Sequence, residues 1–283
     1  MAKKTIRAGG FRHQWIRWPF TMLLVIPFSI GLRGQNPQAD GGAAPPAPGA
    51  AGQAVPRIDP KARAMLDRTI QALGGPAFMN FKTMSSEGRA FSIADGVTAG
   101  FVYYKSGMEY PDKRRLAYGF GRRKPIILIN KGGQGWEIDR YGLVGQKDKQ
   151  IKTWRLANRY SLENFLRLRL HEPGVLVLPG GQDFVDNLAA NIVDVYDSRH
   201  VEVKLYINSQ TALPIRITYK IQDPQSRDWD IYSDSYSEYR MVDGVETPMH
   251  ITRYLNDDRV AETFRTSVKY NVTFPPDYFQ PAG

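Results

Sequence analysis

From Val201 to Tyr270 apolar side chains recur at every second position. Val201, Val203, Leu205 and Ile207 alternate with Glu202, Lys204 and Tyr206. Beyond the turn Asn208–Pro214, Ile215, Ile217, Tyr219 and Ile221 alternate with Arg216, Thr218 and Lys220. A period of two sends alternate side chains to opposite faces of a sheet, one apolar and one wet. An apolar face of that extent has to be covered by helices, by a second sheet or by a ligand.

The same pattern precedes it. Strands are expected over Met84–Phe91 and Gly100–Lys105, either side of the hairpin signal Asp95-Gly96. Others fall at Arg114–Phe120, Pro125–Asn130 and, after the turn Lys131–Gly135, Trp136–Asp139. Tight turns at Val242–Gly244 and Asn256–Arg259 divide the C-terminal part. Two segments carry helical spacing instead. Asp59 to Leu73 has a capping aspartate, Pro60 in its first turn, a stripe of Ala62, Met65, Leu66, Ile70 and Leu73, and a Gly74-Gly75 stop. Ser161 to Leu170 sets Leu162, Phe165, Leu166 and Leu170 near one face. The links are short, so neighbouring strands are antiparallel, and the pattern predicts about ten or eleven of them in one strongly curved sheet. The class is α+β, mainly β.

The first 56 residues do not read as globular. Lys3, Lys4, Arg7, Arg12 and Arg17 precede an apolar run from Trp18 to Leu32, the order of a secretory signal. The run is short for a membrane span of roughly 20 residues; residues 1–34 are a signal peptide or a retained N-terminal anchor. Residues 35–56, rich in Ala, Gly and Pro, cannot bury enough apolar surface to offset their ordering entropy and form a disordered linker. The folded domain is 57–283.

Charge looks different once the leader is set aside. The chain holds 38 Lys+Arg against 28 Asp+Glu, net +10. Six of those bases and no acids lie in 1–34, leaving 32 against 28, net +4. This removes the case for nucleic acid. A local basic cluster remains at Lys113, Arg114, Arg115 and Arg122, Arg123, Lys124: a solvated edge, or a patch facing anionic head groups or an acidic partner.

No catalytic spacing is found. His13, His171, His200 and His250 are not at metal-ligand spacing, and the Gly-x-Ser-x-Gly nucleophile elbow does not occur. With no cysteine there is neither a thiol nucleophile nor a disulfide. Lys131-Gly-Gly lacks the strand–loop–helix setting of a phosphate loop, and Asp228, Asp230 and Asp234 lack the glycine and glutamate of a calcium loop. The expectation is a protein without enzymatic activity, cofactor or metal.

Several stretches, taken in order, resemble the bacterial LolA/LolB-like lipoprotein-carrier superfamily. They are the first helix, Tyr104–Arg114 around Pro111, Ile126–Trp136, the leucine-rich helix Leu162–Leu170, Leu205–Pro214 and the closing Val272-Thr-Phe-Pro-Pro-Asp277. The resemblance implies a half-barrel, an open curved antiparallel sheet closed by one or two helices, with acyl chains in its cavity. It implies a periplasmic protein whose partners are a lipid or an acylated protein, with a membrane surface or envelope protein as a further contact. Tyr110 stands where that family has a basic residue, Asn208 where aspartate is usual, and material is added between Asp223 and Gly244. The fold therefore carries over more readily than the lipoprotein cargo.

Many aromatic and aliphatic faces with two helices as cover leave room for an apolar cavity. Its expected lining is Phe101, Tyr103, Leu116, Tyr118, Ile127, Trp136, Leu166 and Leu205, subject to a one-residue slip that would turn a strand over. Lys113, Arg114 and Arg115 are the expected head-group or partner contacts, and the helix around Phe165 the expected lid. Two other readings stand beside the binding protein. One is an envelope interaction or sensor module with a filled core; the other is a hydrolase with groups converging near His200 or His250.

Overall fold

The computed structural model describes residues 55–121, 124–223 and 227–281. The leader, all but the last two linker residues, and Arg122 and Arg123 of the basic cluster lie outside the described residues. In chain order the elements are β1 (Arg57–Ile58), α1 (Pro60–Ala72), α2 (Pro76–Asn80), β2 (Thr83–Ala94), β3 (Val97–Glu109), β4 (Lys113–Tyr118), β5 (Ile126–Lys131), β6 (Gln134–Asp139) and β7 (Gly142–Gly145). There follow α3 (Asp148–Arg159), α4 (Leu162–Arg167), a 3-10 turn (Arg169–His171), β8 (Leu176–Val185), β9 (Leu188–Tyr196), β10 (Glu202–Asn208), β11 (Pro214–Gln222), β12 (Trp229–Val242), β13 (Val245–Leu255) and β14 (Asp258–Tyr270).

All strands join one curved, unclosed sheet in the order β1-β8-β9-β10-β11-β12-β13-β14-β2-β3-β4-β5-β6-β7. Only the two-residue β1 pairs in parallel, with β8; every other neighbouring pair is antiparallel. The mainly-β half-barrel is the architecture that the motifs implied. The described residues form fourteen strands, more than the expected ten or eleven. The surplus lies where alternation is broken: β1 is too short for a period, β7 has two glycines in four exposed residues, and β8 bulges at Pro179-Gly180-Gly181.

Local chemistry fixes the elements. Asp59 caps α1 by accepting from the backbone N–H of Lys61 at 2.8 Å and of Ala62 at 3.3 Å. Asp95 and Gly96, both at positive φ, turn β2 into β3. Asn208 accepts from the N–H groups of Gln210 and Thr211 at 2.9 and 3.0 Å, the task an aspartate would perform in that turn.

The helices fill one half of the inner face. Leu66 of α1 and its C-cap Leu73, Phe78 of α2, and Leu162, Phe165 and Leu166 of α4 pack against Val177, Val193, Val203, Leu205, Ile217 and Tyr219. Leu166 and Leu205 are 0% exposed in this core. One polar network fastens it. Arg159, ending α3, binds Asp197 after β9 (Nη2 to Oδ2, 3.0 Å) and Glu172 (Nη1 to Oε1, 3.0 Å), while Tyr160 Oη donates to Asp197 Oδ2 at 2.7 Å. Burial works against the Glu172 carboxylate, yet hydrogen bonds from Arg159, Ser198 and Arg169 hold its pKa down at about 2.

Candidate binding groove

The other half of the inner face, on β2 to β5, is left uncovered by α1, α2 and α4. Strand register sets its side chains in rows. Next to the filled core lie Met84, Met108, Arg114 and Asn130; then Ser86, Ser106, Leu116 and Leu128; then Tyr104 and Tyr118; then Ala90 and Val102. The sheet curls so that Ile251 and Arg253 of β13 and Ala261 and Thr263 of β14 form the far wall. Together they enclose a half-open groove of about 210 Å³. That is below the roughly 300–1,000 Å³ of sites for drug-sized ligands. The space suits one slender apolar segment.

Among the described residues its walls hold two arginines and no carboxylate. They differ in circumstance. Arg253 is held by Asp234 through two bonds, and the charge of Asp234 raises its pKa. Arg114 has no ion pair among the described residues. Its Nη2 donates to Asn130 Oδ1 at 2.8 Å, Asn130 in turn donates to Gln146, and the Trp154 ring of α3 stands 5.8 Å away. Its Nε is buried without a partner, as is the hydroxyl of Tyr118 two places further along the same face. Burial, and then the charge of Arg253, push the Arg114 pKa down to about 9, so the group is still charged at neutral pH.

The structure brings together only part of the expected lining. Leu116 and Tyr118 line the groove. On β3 the neighbours Val102 and Tyr104 face it instead of Phe101 and Tyr103, which are 51% and 55% exposed on the outer face. There Phe101 stacks on Phe91 at 5.6 Å and Phe264 meets Phe91 edge-on at 5.6 Å, a cross-strand aromatic ladder that uses the outward phase. On β5 Leu128 faces in and Ile127 out, and register puts Trp136 on the outer face opposite Ile129. Leu166 and Leu205 belong to the filled core, away from the groove.

The three basic residues do not form one patch, because successive strand residues alternate sides. Lys113 pairs with Glu109 at 2.5 Å, Arg114 points into the groove, and Arg115 points outward to the Tyr278 carbonyl at 3.2 Å. Nor does α4 cover the groove as a lid. Phe165 is 0% exposed in the core, and Arg167 anchors the helix to the Met79 and Phe81 carbonyls and lies over the Phe81 and Tyr110 rings. Sequence reasoning missed the helix that does approach it, α3. Among groove residues it missed Ser86, Ala90, Ser106, Arg253, Ala261 and Thr263, whose small or polar side chains leave no apolar signal, and Ile251, the one large apolar residue among them.

No family profile and no curated protein matches the sequence. Solved structures do. A DUF1329 family protein from Desulfovibrio piger superposes with a TM-score of 0.53 at 12% identity, covering 77% of this chain and 97% of that one. A LolA superfamily protein from Nitrosomonas europaea gives 0.48 at 13% identity, with the same coverage of each chain. A domain from Vibrio parahaemolyticus assigned to outer membrane lipoprotein sorting gives 0.49 at 6% identity, again over 77% and 97%. The chain shares the fold of the DUF1329 family protein. At such identities the likeness is one of fold alone.

Proposed function

We propose that this chain is an exported, non-enzymatic binding protein that holds an acyl chain or similar apolar segment in the groove beside Leu116 and Tyr118. The observation that carries the reading is the uneven cover of the inner face: helices fill one half, and the other half keeps an open groove walled by Ala90, Val102, Leu116, Leu128 and Ile251. An unfilled, partly apolar concavity is the usual form of a small-molecule site. In this reading residues 1–34 direct export to the periplasm, 35–56 act as a tether, and 57–283 are the binding domain. The ligand is a lipid or part of an acylated protein passing through the envelope.

The test is uptake of the neutral fluorescent probe N-phenyl-1-naphthylamine. Saturable binding at one site, removed by Leu116→Trp, supports the reading; no uptake by folded protein refutes it.

A second reading is favoured by the small size of the groove and by the filled core next to it. Here the domain is an envelope interaction module, and its partner docks on the sheet without any lipid. Failure of probe uptake, together with capture of a specific envelope protein, is the outcome that selects it.

A further inference from the structure

Resting on the groove reading above, we infer that the ligand is a single-chain amphiphile with an oxyanion head, a carboxylate or phosphate monoester, and that Arg114 binds that head at the inner end of the groove. Three observations lead there. First, among the described residues Arg114 is the groove's one arginine without a carboxylate, and its Nε is buried with no acceptor. A buried donor left unmade is costly, and a charged one more so. Charged acceptors on the partner strand are absent: the opposite residue on β5 is Asn130, whose oxygen accepts one bond from Nη2.

Second, the surroundings keep the cation in place and do not neutralise it. Asn130 is itself tied to Gln146, and Trp154 offers its ring to the guanidinium. The charge of Arg253 is of the same sign, and Asp234 is fully engaged by Arg253 through both its oxygens. The Glu137 carboxylate, on the inner face of β6, makes no ion pair with Arg114 among the described residues; burial and Asp139 raise its pKa against a hydrogen bond from Gln150.

Third, the order of rows matches an amphiphile. Arg114 shares the innermost row with Met84 and Met108 of the core, while Leu116, Leu128, Tyr118, Val102 and Ala90 run outward from it. An anion entering head first meets a partner for the stranded Nε–H, and its chain lies along the apolar rows. A neutral chain gains only the second part. A charge-assisted bond to an otherwise unmet cation corresponds to about a ten- to hundredfold preference for the anion.

The experiment is displacement of N-phenyl-1-naphthylamine from the full chain by decanoate, decyl phosphate, decanol, acetate and inorganic phosphate, repeated with Arg114→Gln. The expected result is that decanoate or decyl phosphate displaces the probe at about ten- to a hundredfold lower concentration than decanol. Arg114→Gln is expected to abolish that difference while still binding probe and decanol. Which of the two chained anions is stronger tells carboxylate from phosphate. Equal potency of decanol and both anions overturns the inference, as does an anion preference that survives Arg114→Gln. Acetate or inorganic phosphate occupying Arg114 as tightly as the chained anions also overturns it, by assigning a free-anion site. Failure of the probe to bind the wild-type protein is a different result: it removes the groove reading itself and this inference with it.

Discussion

Arg253 and Asp234 face each other across the β12–β13 pairing, with Nε 2.8 Å from Oδ1 and Nη2 2.9 Å from Oδ2. Both sit on the inner face, Arg253 at the groove wall and Asp234 behind it towards the core, and the bidentate geometry satisfies each charge. The relationship sets a contrast with Arg114, which has the same chemistry in the same groove and no such partner.

Removing one member of the pair therefore strands the other. Asp234→Ala is expected to lower unfolding stability by about 3 kcal/mol, because Arg253 keeps its charge in a part-buried site. Urea denaturation measures this. The double substitution Asp234→Leu with Arg253→Met is expected to recover most of the loss.

Arg114 should behave in the opposite way in the absence of ligand. Its folded pKa is depressed, so its charge opposes folding. Arg114→Met, which keeps the length and discards the unmet donor, is expected to leave stability unchanged or raise it by about 1 kcal/mol. A loss of more than about 2 kcal/mol would show that Asn130 and Trp154 already satisfy the cation.

The Arg159–Glu172–Asp197 network gives a pH dependence with a definite sign. Glu172 is depressed to about 2 when folded, against an ordinary value near 4.5. Its contribution is present in full above the unfolded value and is lost as pH falls from about 4.5 to about 2. Because Glu172 is partly exposed, solvent screening reduces this to about 1–2 kcal/mol. Glu172→Gln is expected to lower the urea midpoint at pH 7, and the gap from wild type should close as pH falls through that range.

Gly88 lies in β2 where a Cβ would come within 2.0 Å of the Phe264 carbonyl oxygen on β14. That obstacle is backbone, next to the register shift between Arg265 and Ser267, and cannot rotate away. Gly88→Ala is expected to cost about 3 kcal/mol in thermal or urea unfolding. By contrast Gly96→Ala, which meets nothing, should pay only for its positive φ, about 1 kcal/mol.

Much of the fold was legible in the sequence, since the hairpin Val203–Tyr219 alternates cleanly and its turn residues name themselves. α1 was legible from its cap and stripe. α3 was not: Asp148–Arg159 is mostly polar, and what it buries is chiefly Trp154 and Arg159, so no apolar stripe marks it. The groove was half legible. On β4, Leu116 and Tyr118 announce an inward face, because the residues between and beside them are Ala117 and Arg115. On β3 the run Phe101-Val102-Tyr103-Tyr104 places apolar groups on both faces, and alternation alone does not say which looks inward. The solitary character of Arg114 belongs to three dimensions, since it depends on what Asp234 and Asn130 do elsewhere in the sheet.

A groove that holds the chain of an amphiphile is detected by native mass spectrometry of protein purified without detergent. After incubation with decanoate in modest excess, one bound molecule per chain is expected, reduced by Leu116→Trp. The bare polypeptide mass throughout, from protein shown to be folded, would contradict it.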